Sequence, residues 1–227
     1  MEKKESYRHI LPHFQQPGQA YFVTWNLQDA VPPKALVWYT HQLETLKLQM
    51  DSTTSQSRDN IKCEAEIASH IEKLKQEYIL VRKKYIKAYD DLLDLDKNPA
   101  IDLAQSVNTA IIIQSLQFWE GKRLKNIAFT IMPNHVHWVF ELFEKDSEGK
   151  PVYLQDVLQS VKRFSSYQIN KSEKREGKLW QKESYDTTIR DETHLYYAIK
   201  YTLNNPVKAG LVSDWHDWKG SWTGSSD

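Results

Sequence analysis

Cysteine is nearly absent: the 227 residues hold one, Cys63. A disulfide framework and a Cys-rich zinc site are therefore excluded. Glycine is scarce too, with seven residues, and none falls in a G-x-G-x-x-G or G-x-x-x-x-G-K string. The glycine loops that wrap dinucleotides or cradle nucleotide phosphates are missing. No run of about eighteen apolar residues occurs, and Met1-Glu2-Lys3-Lys4-Glu5 has no apolar stretch of a signal peptide. The expectation is a cytoplasmic protein with no membrane partner. Net charge is absent as well, thirty Lys+Arg balancing thirty Asp+Glu. That excludes a polybasic protein coating nucleic acid by bulk charge, but not a local basic groove.

What is present is an ordinary globular share of apolar residues, 40%, with an excess of aromatics that includes eight Trp and twelve Tyr. Tyr21 to Asn26 is β-branched and aromatic between turn signals and reads as a strand. From Ala35 the period changes. Leu36, Tyr39, Leu43, Leu46 and Met50 form one helical seam, and Ile67, Ile71, Leu74, Tyr78, Val81 and Tyr85 a second. Polar Asp51 to Asn60 reads as the loop joining them in an antiparallel hairpin. After Asn98-Pro99, Asp102 is placed to cap a helix carrying Leu103, Val107, Ala110, Ile111 and Phe118, which Gly121 ends. Strands follow at Ile127–Met132 and His135–Leu142, a helix at about 154 to 169, a short strand near Asp186–Ile189, and a helix from Asp191 to Asn205 stopped by Pro206. The order β-α-β-β-α-β-α predicts an α+β fold. Its ferredoxin-like split βαβ antiparallel sheet has helices on one face and carries an inserted long helical hairpin. Residues 1–34 and 98–227 make the main domain, and 35–97 the insertion.

Two strings carry chemistry. In a strand, His135 and His137 share a face while Val136, Trp138 and Phe140 take the other, so two imidazoles can offer nitrogens to one divalent ion. Alone, His-x-His is a weak signal that also suits surface or core histidines in a sheet, and zinc would want further ligands that are absent nearby. On the last helix, Tyr201 and Asn205 lie within roughly 40° of azimuth, on the flank of the apolar face formed by Leu195, Ile199, Thr202 and Leu203. A hydroxyl nucleophile one turn from a carbonyl-oxygen ligand suits metal-assisted attack on a phosphodiester. Tyr196 and Tyr197 are rival nucleophiles on the same helix. Between Lys162 and Lys182, seven basic residues face two acids, a local balance of +5 that includes Arg163, Lys178 and Trp180. Such a run is either a solvated face or a phosphate-contacting, base-stacking surface. Trp215, Trp218 and Trp222 read as a tail packing on the domain.

In combination, Met132-Pro-Asn-His135-Val-His137 and Tyr201-x-x-x-Asn205 with Pro206-Val-Lys-Ala-Gly-Leu-Val212 resemble the single-tyrosine HUH transposases, in particular their REP-associated branch. The segments at Tyr21–Thr24, Lys162–Phe164, Gly177–Gln181 and Tyr185–Asp191 are similar to it as well. The likeness runs from about residue 8 to 212 and is weakest over 35–97. Relatives commonly carry a larger β-branched residue or His within the stretch that here reads Tyr201-Thr-Leu-Asn204. The resemblance implies an enzyme that cleaves and rejoins single-stranded or hairpin DNA. His135, His137 and Asn205 would hold Mg²⁺ or Mn²⁺, and Tyr201 would form a 5′-phosphotyrosine. It adds Arg190 to Lys162, Arg163, Lys178 and Trp180 as DNA contacts. Two other readings are a hairpin-binding protein without turnover and a structural zinc protein. A monomer and a homodimer both stay open.

Overall fold

The computed structural model describes residues 6–8, 12–14, 16–32, 34–57, 64–95 and 99–224. The chain divides into two compact units, Met1–Ala30 with Leu95–Asp227, and Val31–Asp94.

In the larger unit, β1 (Ser6–Arg8) and β2 (Pro12–Phe14) form a two-stranded ribbon. The main sheet has β3 (Ala20–Asn26), β4 (Leu124–Ile131), β5 (His135–Leu142), β6 (Tyr185–Thr188) and β7 (Ser221–Thr223), in the order β6-β3-β5-β4-β7. Every pairing in it is antiparallel. The expected α+β, split βαβ class is the one observed. Residues directly opposite in an antiparallel pair share a face, so the register sorts the sheet. Thr24 opposite His137 opposite Thr130, Asn26 opposite His135, and Phe22 opposite Val139 define one face. Val23, Trp25, Phe129, Val136, Trp138 and Phe140 define the other.

That second face is the larger core. The helices α3 (Ser106–Gln117) and α4 (Leu154–Ser172) cover it, and Trp25, Trp138, Phe129 and Phe140 are wholly buried there. Each such aromatic contributes roughly 4–6 kcal/mol of transfer free energy as an upper bound. A bulge between Asn126 and Ala128 lets Asn126 turn into this core. Its Oδ1 accepts from Trp138 Nε1 (2.6 Å), and its Nδ2 donates to Glu120 Oε2 (2.7 Å) and to the Leu116 carbonyl (3.2 Å). The helix α5 (Glu192–Lys208) packs on the opposite, histidine face against Ala128, Val139 and Phe22 through Ala198 and Leu203. Helices thus lie on both faces. The two split βαβ helices share one, and the additional helix takes the other because Phe22, Ala128 and Val139 leave it apolar.

Several boundaries differ from those the sequence predicts. Asp102 closes a turn, its Oδ1 accepting from the Ala104 amide, and α3 begins later, at Ser106. Its buried side holds Asn108, Thr109, Ile112, Ser115 and Leu116, while Val107 and Phe118 are exposed. Polar groups can sit inward because local partners satisfy them: Asn108 donates to the Asp102 carbonyl and to Glu173, and Thr109 to the Leu103 carbonyl. Pro206 does not stop α5, which runs two residues further to Lys208. The end is a Schellman arrangement, with Gly210 at φ 67°, its amide on the Val207 carbonyl and the Leu211 amide on the Pro206 carbonyl. The tail supplies an edge strand, β7, whose Trp222 stacks on Phe129 at 5.2 Å, while Trp218 Nε1 donates to the Ile131 carbonyl.

The smaller unit holds α1 (Val37–Ser57) and all but the last residue of α2 (Glu64–Leu95). Tyr39 near the start of α1 meets Tyr85 in the last third of α2, centroids 6.4 Å apart, as antiparallel helices require. Polar Asp51 to Ser57 is helix rather than loop, because Thr53, Thr54 and Ser55 turn their hydroxyls back onto the Gln49, Met50 and Asp51 carbonyls. The rest of that stretch, 58–60, lies outside the described residues, as do the expected boundary positions 97 and 98. Among the described residues, no helix is long and apolar enough to cross a membrane.

Candidate active site

Strand alternation puts His135 and His137 on one face of a central strand, and α5 lays Tyr201 and Asn205 over them. The two imidazoles converge, with His135 Nε2 and His137 Nε2 3.0 Å apart. Each ring is held from behind. His135 Nδ1 lies 2.6 Å from Asn134 Oδ1, and His137 Nδ1 lies 2.7 Å from Thr24 Oγ1. With Asn134 Oδ1 as acceptor, His135 carries its proton on Nδ1 and turns a lone pair forward on Nε2. The Thr24 hydroxyl accepts or donates, so His137 can either donate across to His135 or present a second lone pair.

Both rings are neutral. Burial pushes His135 down to about 3, the Asn205 side chain working the other way and the charge of Lys208 adding to the fall. Burial likewise holds His137 well below the ordinary imidazole range, with His135 and then Lys208 contributing. Neutral imidazole is the form that binds a metal.

Phe22 stacks on His137, centroids 5.7 Å apart at 18°. The Tyr201 ring meets His137 edge-on at 5.2 Å and Phe22 at 5.7 Å, so the phenol sits half-buried against the pair. Asn205 is 1% exposed, and its side chain lies within hydrogen-bonding reach of both imidazoles, though its Oδ1 makes no well-aligned hydrogen bond. Tyr196 and Tyr197, the rivals, are exposed at 59% and 62% and pack on each other at 5.5 Å.

The donor set fits a divalent cation. Two imidazole nitrogens 3.0 Å apart have the separation of neighbouring ligands whose metal–nitrogen bonds are about 2.1 Å. The Asn205 amide reaches both imidazoles, and its buried oxygen, without a well-aligned donor, is the sort of atom a cation satisfies. Among the described residues no cluster of three His, Cys, Asp or Glu side chains exists, so the two-histidine set would have to be completed by an amide oxygen. A structural zinc site is correspondingly disfavoured. Sequence reasoning missed Thr24 and Phe22, which reach the histidines only through the β3–β5 register, and Asn134, whose position immediately before His135 was the available signal.

The five proposed DNA contacts do not form one set. Lys162, Arg163, Lys178 and Trp180 line a cavity of about 450 Å³ between α4 and the segment 178–184. Arg190 is not among its lining residues and is exposed just before α5, beside the capping Asp191. Trp180 is corrected from a stacking platform to a core residue: it is 7% exposed, its indole donates to Ser165 Oγ, and its ring packs edge-on against Trp25. Lys162 also turns inward, its Nζ donating to the carbonyls of Gln181 (3.1 Å), Lys182 and Glu183 (3.4 Å each). Burial lowers it to about 8, opposed by Glu183 and Asp186. Arg163 and Lys178 remain exposed.

No family model matches the chain. Over 106 residues it is 32% identical to a protein of Haemophilus influenzae named "Putative REP-associated tyrosine transposase". The chain is similar to that transposase. The match covers 45% of this chain and 60% of the relative, so it spans three fifths of the relative's length. A solved structure of a REP-associated tyrosine transposase bound to a REP hairpin aligns over 100% of this chain and 94% of its own, with a TM-score of 0.43 and 14% identity.

Proposed function

We propose that the chain is a single-strand DNA endonuclease and transposase of the HUH tyrosine type, acting on hairpin DNA through a 5′-phosphotyrosine. The observation that carries this reading is the meeting of Tyr201, two neutral imidazoles and the buried Asn205 amide on one face of the sheet. The similarity to a protein named a tyrosine transposase supports it.

The Tyr201 hydroxyl attacks phosphorus, the phosphorus–O3′ bond breaks, and the tyrosine proton ends on the departing 3′ oxygen. The strand is left with a free 3′-hydroxyl and a phosphate ester on the phenol. Attack of a 3′-hydroxyl on that ester rejoins DNA without ATP, and one tyrosine holds one covalent intermediate at a time. His135, His137 and Asn205 are the residues that would hold a divalent ion. When bound, Mg²⁺ or Mn²⁺ supplies Lewis-acid stabilisation of charge on the scissile phosphate. Asn134 and Thr24 fix the imidazole orientations, and Phe22 walls the phenol against His137. Because a free phenol has a pKa near 10, its proton must be drawn off during attack.

A hairpin-binding protein without turnover is the second reading. The observation favouring it is that His135, His137 and Asn205 are each only 1% exposed. The two separate on a denaturing gel with labelled hairpin single strands and Mg²⁺ or Mn²⁺. An adduct formed by the native chain and abolished by Tyr201→Phe supports the enzyme. Binding with no adduct on any hairpin tested supports the binder.

A further inference from the structure

The outward side of α3 lacks what a solvated helix carries. Val107, Ala110, Gln114 and Phe118 recur by three and four along it, all exposed, with Ile111 half-buried among them. Val107 is 59% exposed and Phe118 55%. This reverses an ordinary surface helix, since Asn108, Thr109 and Ser115 point inward. From Leu103 to Trp119 the sequence holds no Lys, Arg, Asp, Glu or His, in a chain where 26% of residues are charged. The neighbouring α4, which Trp119 reaches through Ser160, does expose charge, at Arg163 and Lys171. A nucleic-acid backbone is gripped chiefly by cations, and the α3 stripe offers none.

The two ends of the helix differ in sign. Asp102 stands before it, half-buried, its Oδ1 accepting from the Ala104 amide. After it, Glu120 turns its carboxylate onto Asn126, and Arg123 pairs with Asp146 at 3.3 Å. Lys122 is exposed and carries the basic charge nearest the stripe, its Nζ 4.6 Å from the Phe118 ring centroid.

We infer that α3 is an interface between two copies of this chain, packed antiparallel about a two-fold axis through the middle of the stripe. That axis sets Val107 against the other copy's Phe118 and Ile111 against its Gln114. It also brings Asp102 opposite the other copy's Lys122, at both ends at once. A patch that meets itself must hold no charge at its centre and complementary charges about the axis, as this one does. Parallel pairing would instead set Lys122 on Lys122 and Asp102 on Asp102. Because α3 covers the sheet face away from His135 and His137, pairing leaves the two Tyr201 sites open and unshared. A helix of 12 residues is about 18 Å long, so one stripe buries less than the about 800 Å² per partner of a standard interface. The dimer is therefore weak and concentration-dependent.

The test is sedimentation velocity of the full chain from low to high micromolar concentration, with thermal melts confirming that each variant folds. The native chain is expected to pass from monomer to dimer as concentration rises. Val107→Lys, which sets an ammonium beside the other copy's Lys122, should raise the dissociation constant at least about tenfold. Val107→Glu, also charged but facing that same Lys122, should raise it less. Val107 is more than half exposed, so neither substitution disturbs the monomer. A native chain that stays monomeric at every concentration overturns the inference and leaves the stripe to a different protein. So does a dimer that Val107→Lys leaves unchanged, since the contact then lies elsewhere. Equal weakening by Lys and Glu overturns the antiparallel register.

Discussion

Replacing Thr24 by valine changes one group. Thr24 is 4% exposed, and its Oγ1 lies 2.7 Å from His137 Nδ1 in the middle of the sheet. Valine keeps the branched shape and strand preference but leaves Nδ1 without a partner in a site where water is excluded. An orphaned buried polar group costs about 1–3 kcal/mol, so urea unfolding of Thr24→Val should show a loss in that range. The second effect falls on the ion. Removing the partner that orients a ligating imidazole typically lowers metal affinity about 10–100-fold. Isothermal titration of Mn²⁺ into the native chain and Thr24→Val should show that drop, while Thr24→Ser restores most of the affinity. Equal Mn²⁺ affinity in Thr24→Val and the native chain would refute the claim that Thr24 orients His137 for metal. A stability loss without an affinity change would reduce Thr24 to a packing role.

Asn205→Leu removes an amide oxygen that makes no well-aligned hydrogen bond but lies within reach of both imidazoles. It is expected to change the apo chain's stability by no more than about 1.5 kcal/mol, the net worth of a lost hydrogen bond, while Mn²⁺ affinity falls at least about tenfold; thermal melts with and without Mn²⁺ check both. Gly220 has no room for a Cβ, which would meet the Ile131 carbonyl oxygen at 2.6 Å and Trp218 Nε1 at 2.9 Å. Gly220→Ala should cost about 1–3 kcal/mol, read by urea unfolding; an unchanged midpoint would show that β7 can shift freely. The folded pKa of Lys162 is lowered from 10.5 to about 8, so over that window the unfolded chain holds more protons on it than the native one. Stability contributed by this group therefore rises with pH from about 8 to 10.5, by at most about 1.4 kcal/mol per pH unit. The native-minus-Lys162→Met difference in urea midpoints should grow across that window, and a flat difference would remove the claim.

The main elements were legible because strands and helices write different periods. His135, Val136, His137 and Trp138 alternate cleanly, and the seams Leu36–Met50 and Ile67–Tyr85 mark the two long helices. The candidate site was legible in part, since His135, His137, Tyr201 and Asn205 come together. What failed depended on tertiary partners. Trp180 stood in a basic stretch and looked available for stacking, yet Ser165 and Trp25 hold it in the core. Pro206 carried a stop signal, but it sits in the last turn of α5, where the helix needs few further bonds. The inward face of α3 was misjudged because its polar residues find partners in a turn and in Glu173, which no periodicity announces.

The central claim is that Tyr201, held against His137, is the nucleophile, and the sequence makes the decisive measurement simple. Trypsin, cutting after Arg190, Lys200 and Lys208, separates Tyr201 into the peptide Tyr201–Lys208, with Tyr196 and Tyr197 in Asp191–Lys200. Mass spectrometry of the covalent complex formed with hairpin single strands and Mn²⁺ should find the nucleotide on Tyr201–Lys208. A nucleotide on Asp191–Lys200, or on no tyrosine peptide at all, would contradict the account.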